Sequence, residues 1–267
     1  MQKIGLIAGE GEFPLLLAEE AKNRGVKVIT AGILNHTSIE IERYSDKVEW
    51  ISLGALEALI QFFKEEGVES AIMAGRVPKP AFVQGMVPLD DRSRMILAKT
   101  SDHRDTTLLK GLIGELENHG IRFLDSSSFL EPYLAKEGVL GKYVPSPHHW
   151  RDIELGKKGA LQLGGLDIGQ TVVVKDQLIV AVEGIEGTDE TIHRAGKVAG
   201  EGGVVVKMAR PHQDMRFDIP VIGPKTLDSL REAKAAVLAV EAGKTLILQD
   251  WFFLQQADEM KLVVVGI

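Results

Sequence analysis

The chain has 267 residues, 45% of them apolar and 26% charged, with a net charge of −7 and no cysteine. That length and apolar content suffice for one large or two medium domains. Neither half has a basic excess, which argues against nucleic acid as a partner, and the lack of cysteine excludes a disulfide framework, a thiolate nucleophile and a Cys-based zinc site. The N-terminus enters a strand pattern at once, without signal-peptide features, and no apolar run approaches the ~18 residues that span a bilayer, so a cytoplasmic address with at most transient contact at the inner-membrane surface is expected.

In chain order, Lys3 to Ala8 reads as a strand, Gly9-Glu10-Gly11 as a turn, and Phe13 to Arg24 as a helix with apolar residues at helical spacing. Glycines in such a turn let the backbone approach a ligand, and free N–H groups at the helix start favour an anion, so Gly9 and Gly11 are candidate substrate contacts. The turn departs from a dinucleotide fingerprint, because Pro14 stands where the third glycine belongs. Strands follow at Val26 to Ala31, Lys47 to Leu53 and Ser70 to Ala74, with a helix at Leu56 to Glu66. Alternation of strand and helix predicts a parallel, Rossmann-like sheet. Arg76 and Lys79, just after the Ser70 strand, then fall where open α/β sheets bind ligands; Arg76 is a candidate phosphate contact, and solvated charge is the plain alternative for both.

Helices are predicted at Val87 to Leu97 and Thr106 to Glu117, around a polar stretch at 99–105 in which Ser101 or Asp102 serves as a helix cap, the alternative being that Asp102 and Asp105 face a metal or the cation-bearing strand ends. After a short strand at Ile121 to Leu124 the periodicity fails. Residues 1–130 therefore read as a first domain, 131–147 as a Pro- and Gly-rich linker, and 148–267 as a catalytic mixed α/β domain. His148 and His149 lack metal-ligand spacing and read as polar residues at the start of a helix over Trp150 to Leu163.

Thr171 to Val174 and Leu178 to Val182 flank Lys175-Asp176-Gln177, a hairpin signal. Glu183, Glu186, Gly187, Thr188 and Asp189 follow, with Thr188 or Asp189 placed to cap a helix running to about Val198. Glu183 and Glu186 are like charges that demand a nearby cation. Gly203 to Met208 is another strand. It leads into Arg210, Asp214, Arg216 and Asp218, the last standing before an Ile-Pro-Val-Ile-Gly turn. Asp218 suits either a turn cap or a catalytic carboxylate. A helix at Leu227 to Ala236, strands at Ala236 to Val240 and Lys244 to Leu248, a helix at Trp251 to Ala257 and a strand at Leu262 to Val265 complete the chain.

The Gly5 to Pro14 turn motif, Ala74-Gly75 before Val77, Leu166-Asp-Ile-Gly-Gln170, Glu183 to Asp189 and Phe217-Asp-Ile-Pro-Val-Ile-Gly223 together resemble the LpxI-type UDP-2,3-diacylglucosamine pyrophosphatases of lipid A biosynthesis, over nearly the whole chain. The resemblance implies two domains around a cleft, a homodimer, and Mg²⁺-dependent hydrolysis of the substrate to UMP and 2,3-diacylglucosamine 1-phosphate (lipid X). It implies that Asp218 is the essential aspartate. The chemistry of pyrophosphate hydrolysis agrees, since a cation must neutralise charge and orient water, and Mg²⁺ takes carboxylate and phosphate oxygens. Asp218 and Asp189 lead the metal candidates, with Glu183 and Glu186 behind them; Thr188 joins the two aspartates as a catalytic candidate, and Gly187, Arg210 and Arg216 are candidate substrate contacts. For Arg216 an ion pair with Asp214 is the alternative. An acyl-chain site among Phe217, Trp251, Phe252 and Phe253 competes with plain core packing. Two other readings stay open, an NAD-binding oxidoreductase and a non-catalytic binder of a lipid-linked nucleotide sugar. The first needs an acid about 20 residues past the glycine turn to hold a ribose, where the sequence offers only Gly32-Ile-Leu-Asn-His36.

Overall fold

A computed structural model describes residues 2–76, 88–99, 105–211, 213–217 and 219–267, the side chains of 105 and 106 excepted. Asp218, Lys79, Ser101 and Asp102 lie outside the described residues. The chain forms two compact units, residues 1–130 with 215–217, and residues 131–214 with 218–267.

In the first unit, strands β1 (Lys3–Ala8), β2 (Lys27–Ile33), β3 (Lys47–Ile51), β4 (Ser70–Ala74) and β5 (Arg122–Phe123) form one sheet in the order β3-β2-β1-β4-β5. Every pairing in it is parallel. Ile4, Leu6, Val28 and Ile72 are fully buried, as expected of strands covered on both faces. Helices α1 (Phe13–Asn23), α2 (Leu56–Glu65), α3 (Asp91–Lys99) and α4 (Asp105–Asn118) connect them. Alpha-helix α1 starts with Pro14 in its first turn, where a missing N–H costs nothing. The sheet order reverses between β1 and β4, and a crevice at such a point, beyond the carboxyl ends of the strands, is where open sheets bind ligands.

The second unit has a different plan. Strands β6 (Gly138–Val139), β7 (Thr171–Lys175), β8 (Leu178–Val182), β9 (Val204–Lys207), β11 (Val237–Val240) and β13 (Val263–Gly266) form a sheet in the order β6-β13-β11-β9-β7-β8. Beta-strands β9, β11 and β13 are parallel, whereas β6, and the β7–β8 hairpin, join antiparallel. Val173, Val205, Leu238 and Val264 face one apolar cluster and Val172, Val204, Val237 and Val263 the other, the period-two split of a sheet buried on both sides. Helix α5 (Pro147–Gly165) covers the second face; α6 (Thr188–Ala199), α7 (Pro224–Glu232) and α8 (Asp250–Glu259) contribute Ile192, Leu230 and Phe253 to the first.

The stretch read as a linker is part of this unit. Leu134 bridges to Leu246 and β6 pairs with Val265 and Gly266. Helical periodicity breaks there because an edge strand and turns occupy the segment. The final strands also differ from expectation: β10 (Val221–Ile222) and β12 (Leu246–Ile247) pair with one another in a separate two-stranded sheet. His149 does sit at a helix start. The Ser146 hydroxyl accepts its N–H at 3.2 Å while Nδ1 of His149 accepts the Ser146 N–H at 3.3 Å. Burial, helped by neighbouring His148, holds the imidazole below its usual pKa, which keeps Nδ1 an acceptor. Among the described residues no helix is long and apolar enough to cross a membrane.

Candidate functional site

At the carboxyl end of β1, Gly9 and Glu10 meet the chain just past β4. Gly9 N–H donates to Ala74 O, Glu10 N–H to Arg76 O, and Arg76 N–H to Glu10 O, at 2.8 to 3.0 Å. A Cβ at Gly9 would stand 2.6 Å from Arg76 O, and one at Gly75 2.8 Å from Glu10 O. These glycines thus serve the contact between two strand-end turns. Gly11 differs, with φ of 97° and open space where its side chain would be. It is the glycine of the turn with room for a ligand. The Arg76 side chain is exposed and has no ion-pair partner among the described residues.

In the second unit the carboxyl end of β9 meets the start of β7, Lys207 lying in register with Thr171. Glu183 and Lys207 are 8% and 6% exposed, a buried acid and a buried base. The Thr188 hydroxyl joins them. It donates to Glu183 Oε1 at 3.1 Å and accepts from Lys207 Nζ at 3.0 Å, with Thr171 Oγ1 at 3.2 Å. A hydroxyl has one hydrogen and two acceptor positions, so all three are used and the Thr171 hydroxyl is the donor to Thr188. Thr188, a catalytic candidate in the sequence, is thereby a hub that holds charge in place. The other Glu183 oxygen accepts Gln170 N–H at 3.2 Å. A Cβ at Gly169 would stand 2.2 Å from Glu183 O, so the Leu166 to Gln170 motif is shaped to lie against this acid.

Glu186 is also occupied. It accepts Gly184 N–H at 3.1 Å, the Thr191 hydroxyl at 3.3 Å and Arg194 Nη2 at 2.8 Å. A hydrogen bond from its own backbone, then the one from Arg194, pull its pKa below the ordinary carboxylate value. Arg194 thus stands as the cation beside Glu186, whereas Lys207 reaches Glu183 only through the shared Thr188 hydroxyl. Neither Thr188 nor Asp189 caps α6. Gly187 is the cap residue at φ 88°, and Thr188 is already inside the helix with its hydroxyl turned to Glu183. Asp189, partly exposed in the first turn, has no partner for its carboxylate among the described residues. Among the described residues no three His, Asp or Glu side chains converge as a metal cage. A single hard carboxylate such as Asp189 suits Mg²⁺, which keeps several waters and takes only one or two protein carboxylates.

The loop leading towards Asp218 is anchored at its start. Glu241 accepts Ala209 N–H at 2.8 Å and pairs with Lys244 at 2.7 Å, Gln213 Oε1 accepts Arg210 N–H at 2.6 Å, and the Arg210 guanidinium pairs with Asp167 at 2.6 Å. Met215–Phe217 then belong to the first unit: Ser126 N–H donates to Met215 O at 2.7 Å, and the buried Ser126 hydroxyl lies within hydrogen-bond distance of Arg216 O and Met73 O. Arg216 pairs with Glu117 at 3.1 Å. The aromatic candidates separate, with Phe253 fully buried, Phe217 packed on the first unit's core, and Trp251 and Phe252 exposed. Sequence reasoning missed Lys207, Gln170, Ser126 and Glu241. Their shared signal is a polar residue at the edge of an apolar run, which is weak until the strands are paired.

The architecture is thus a two-unit α/β protein whose polar groups gather beyond the carboxyl ends of its parallel strands. The chain belongs to the LpxI family: the LpxI N-terminal domain matches residues 3–133 and the LpxI C-terminal domain residues 136–265. A relative, the UDP-2,3-diacylglucosamine pyrophosphatase LpxI of Caulobacter vibrioides, is 30% identical over 278 residues, covering 100% of this chain and 98% of its own. Among solved structures, a UDP-glucose-4-epimerase of Stenotrophomonas maltophila with bound NAD aligns at a TM-score of 0.32 and 10% identity, over 45% of this chain and 35% of that one. N5-carboxyaminoimidazole ribonucleotide synthetase from Thermotoga maritima aligns at 0.30 and 16%, over 66% and 34%. The chain spans about a third of each, and these likenesses are too slight to bear on the fold or the chemistry.

Proposed function

We propose that this chain hydrolyses the pyrophosphate bond of UDP-2,3-diacylglucosamine, giving UMP and 2,3-diacylglucosamine 1-phosphate, with Mg²⁺ as cofactor. Membership of the LpxI family makes it a pyrophosphatase of the nucleotide-sugar class, and the full-length match to a UDP-2,3-diacylglucosamine pyrophosphatase is the observation that carries the substrate. In this reading Asp218 and Asp189 hold the metal, which when bound neutralises charge on the pyrophosphate and orients water. Asp189 supports its assignment by having a carboxylate not committed elsewhere among the described residues. Glu183, Thr188 and Lys207 fix the first turn of α6 on which Asp189 stands. Gly11 and Arg76 contact the substrate, the guanidinium binding phosphate oxygens. Arg210, paired with Asp167, and Gly187, the cap residue of α6, are the second unit's substrate contacts in this reading, and Arg216 is held by Glu117 in the first. A homodimer and transient contact with a membrane surface belong to the same reading, and sedimentation with and without anionic vesicles tests both.

The decisive experiment incubates pure protein with UDP-2,3-diacylglucosamine and Mg²⁺ and measures UMP. Wild type releases UMP; Asp218→Ala lowers the rate by about 10²–10⁴-fold, the contribution typical of a positioned catalytic group, while its melting temperature stays put. Absence of UMP with wild type across Mg²⁺, Mn²⁺ and Ca²⁺ refutes the activity. An unchanged rate in Asp218→Ala refutes the assignment of that aspartate.

A further inference from the structure

The carboxyl ends of the first unit's strands carry a side-chain pair that has no part in the proposed hydrolysis so far. His36 follows β2, and Glu10 lies in the glycine turn after β1. Nδ1 of His36 is 2.8 Å from Glu10 Oε1. The loop that presents His36 is firmly built: His36 and Thr37 N–H both donate to Ile33 O, at 3.0 and 2.9 Å, and Asn35 takes the left-handed conformation at φ 66°. The Thr37 hydroxyl accepts Ile33 N–H and donates to Ala8 O, which ties the end of β2 to the end of β1. Four hydrogen bonds thus hold one imidazole beside one carboxylate. Through its backbone Glu10 also bridges to Arg76. His36, Glu10 and Arg76 therefore form a row across the carboxyl ends of β2, β1 and β4, straddling the point where the sheet order reverses.

The free valences of the pair select a ligand. A carboxylate accepts, so Nδ1 carries the hydrogen, and Nε2 of His36 and Oε2 of Glu10 have no partner among the described residues. Both side chains are reachable, at 23% and 40% exposure. A phosphate is opposed here by the charge of Glu10. A sugar hydroxyl both donates and accepts, so it satisfies Nε2 in either protonation state, and a second hydroxyl donates to Oε2. In open α/β sheets that bind dinucleotides, the end of the second strand carries the acid that holds a ribose. No acid directly follows β2, where Leu34, Asn35 and His36 stand, but Glu10 reaches over from the neighbouring turn to pair with His36.

We propose that His36 and Glu10 read the vicinal diol of the substrate's ribose, with Arg76 on the phosphate side of the same nucleotide. The proposal rests on the nucleotide-sugar reading and adds to it a ribose-specific subsite in the first unit. The test measures by calorimetry the binding of UMP, 2′-deoxy-UMP and 3′-deoxy-UMP to wild type, His36→Ala, His36→Gln and Glu10→Gln. One hydrogen bond of about 1 kcal/mol makes wild type prefer UMP over at least one deoxy form by about fivefold. In His36→Ala and Glu10→Gln that preference falls to near unity while the deoxy forms bind as before, and His36→Gln, which keeps an acceptor and a donor, retains part of it. Equal affinity of wild type for all three nucleotides, no detectable UMP binding, or variants that weaken all three alike each overturn the assignment. Wild-type hydrolysis, measured on the same preparation, separates the two readings: cleavage without ribose preference sinks only this subsite, whereas no cleavage sinks the activity. Unchanged melting temperatures in the variants exclude misfolding as the cause.

Discussion

The strand ends of the two units handle polar groups in opposite ways. In the first unit Arg76 is exposed, and the pair Glu10 and His36 keeps one unpartnered atom on each side chain among the described residues. In the second, buried Glu183, Thr171 and Lys207 all hydrogen-bond to the partly buried Thr188 hydroxyl, Glu186 is tied to Arg194, and Arg210 to Asp167. The first arrangement leaves hydrogen-bonding capacity for a ligand. The second uses it up to hold a backbone, which costs stability if any one partner is lost but fixes the geometry of whatever stands beside it.

The largest expected effect breaks the second arrangement. Lys207→Met removes the charged donor to Thr188 from the cluster around buried Glu183 and destabilises the protein by about 2 kcal/mol, within the range for a hydrogen bond to a charged group. Urea unfolding measures it, and adding Glu183→Gln to Lys207→Met should recover part of the loss. A change under about 1 kcal/mol would mean that the charged donor does not strengthen the hub.

A smaller effect sharpens the contrast at the first unit. Arg76→Ala should raise KM for UDP-2,3-diacylglucosamine about tenfold with little change in kcat or in melting temperature, the signature of a group that binds ground and transition states alike. Equal KM in variant and wild type would return Arg76 to solvated surface charge.

The smallest concerns Glu186. Its folded-state pKa lies below the ordinary carboxylate value, so the folded protein binds fewer protons than the unfolded chain in that range. The stabilisation is present above the unfolded pKa of about 4.3 and is lost as pH falls through the lower folded value. Glu186→Gln should therefore be less stable than wild type at neutral pH by under about 1 kcal/mol, since the side chain is a third exposed, and the difference should shrink on acidification. A difference that grows as pH falls would contradict the cause assigned to the shift.

Local patterns determined much about this protein. Strand, glycine turn and helix at Lys3 to Asn23, the alternation through Ala74 and the hairpin at Thr171 to Val182 follow from periodicity and turn residues, which act over a few positions. The whole-chain likeness to the LpxI family was carried by short motifs spread from Gly5 to Gly223, and the family models cover the same ground. Tertiary structure decided what the polar residues do. Spacing shows Glu183 and Glu186 as two like charges and hides the hydrogen-bond partners that each meets in space. Lys207 and Arg194 come into place only when β9 pairs with β7 and α6 packs on the hairpin. The pairing of Glu10 with His36, 26 positions apart, likewise required β1 and β2 to lie side by side. Periodicity is a property of neighbours along the chain, whereas hydrogen-bond satisfaction is a property of neighbours in space.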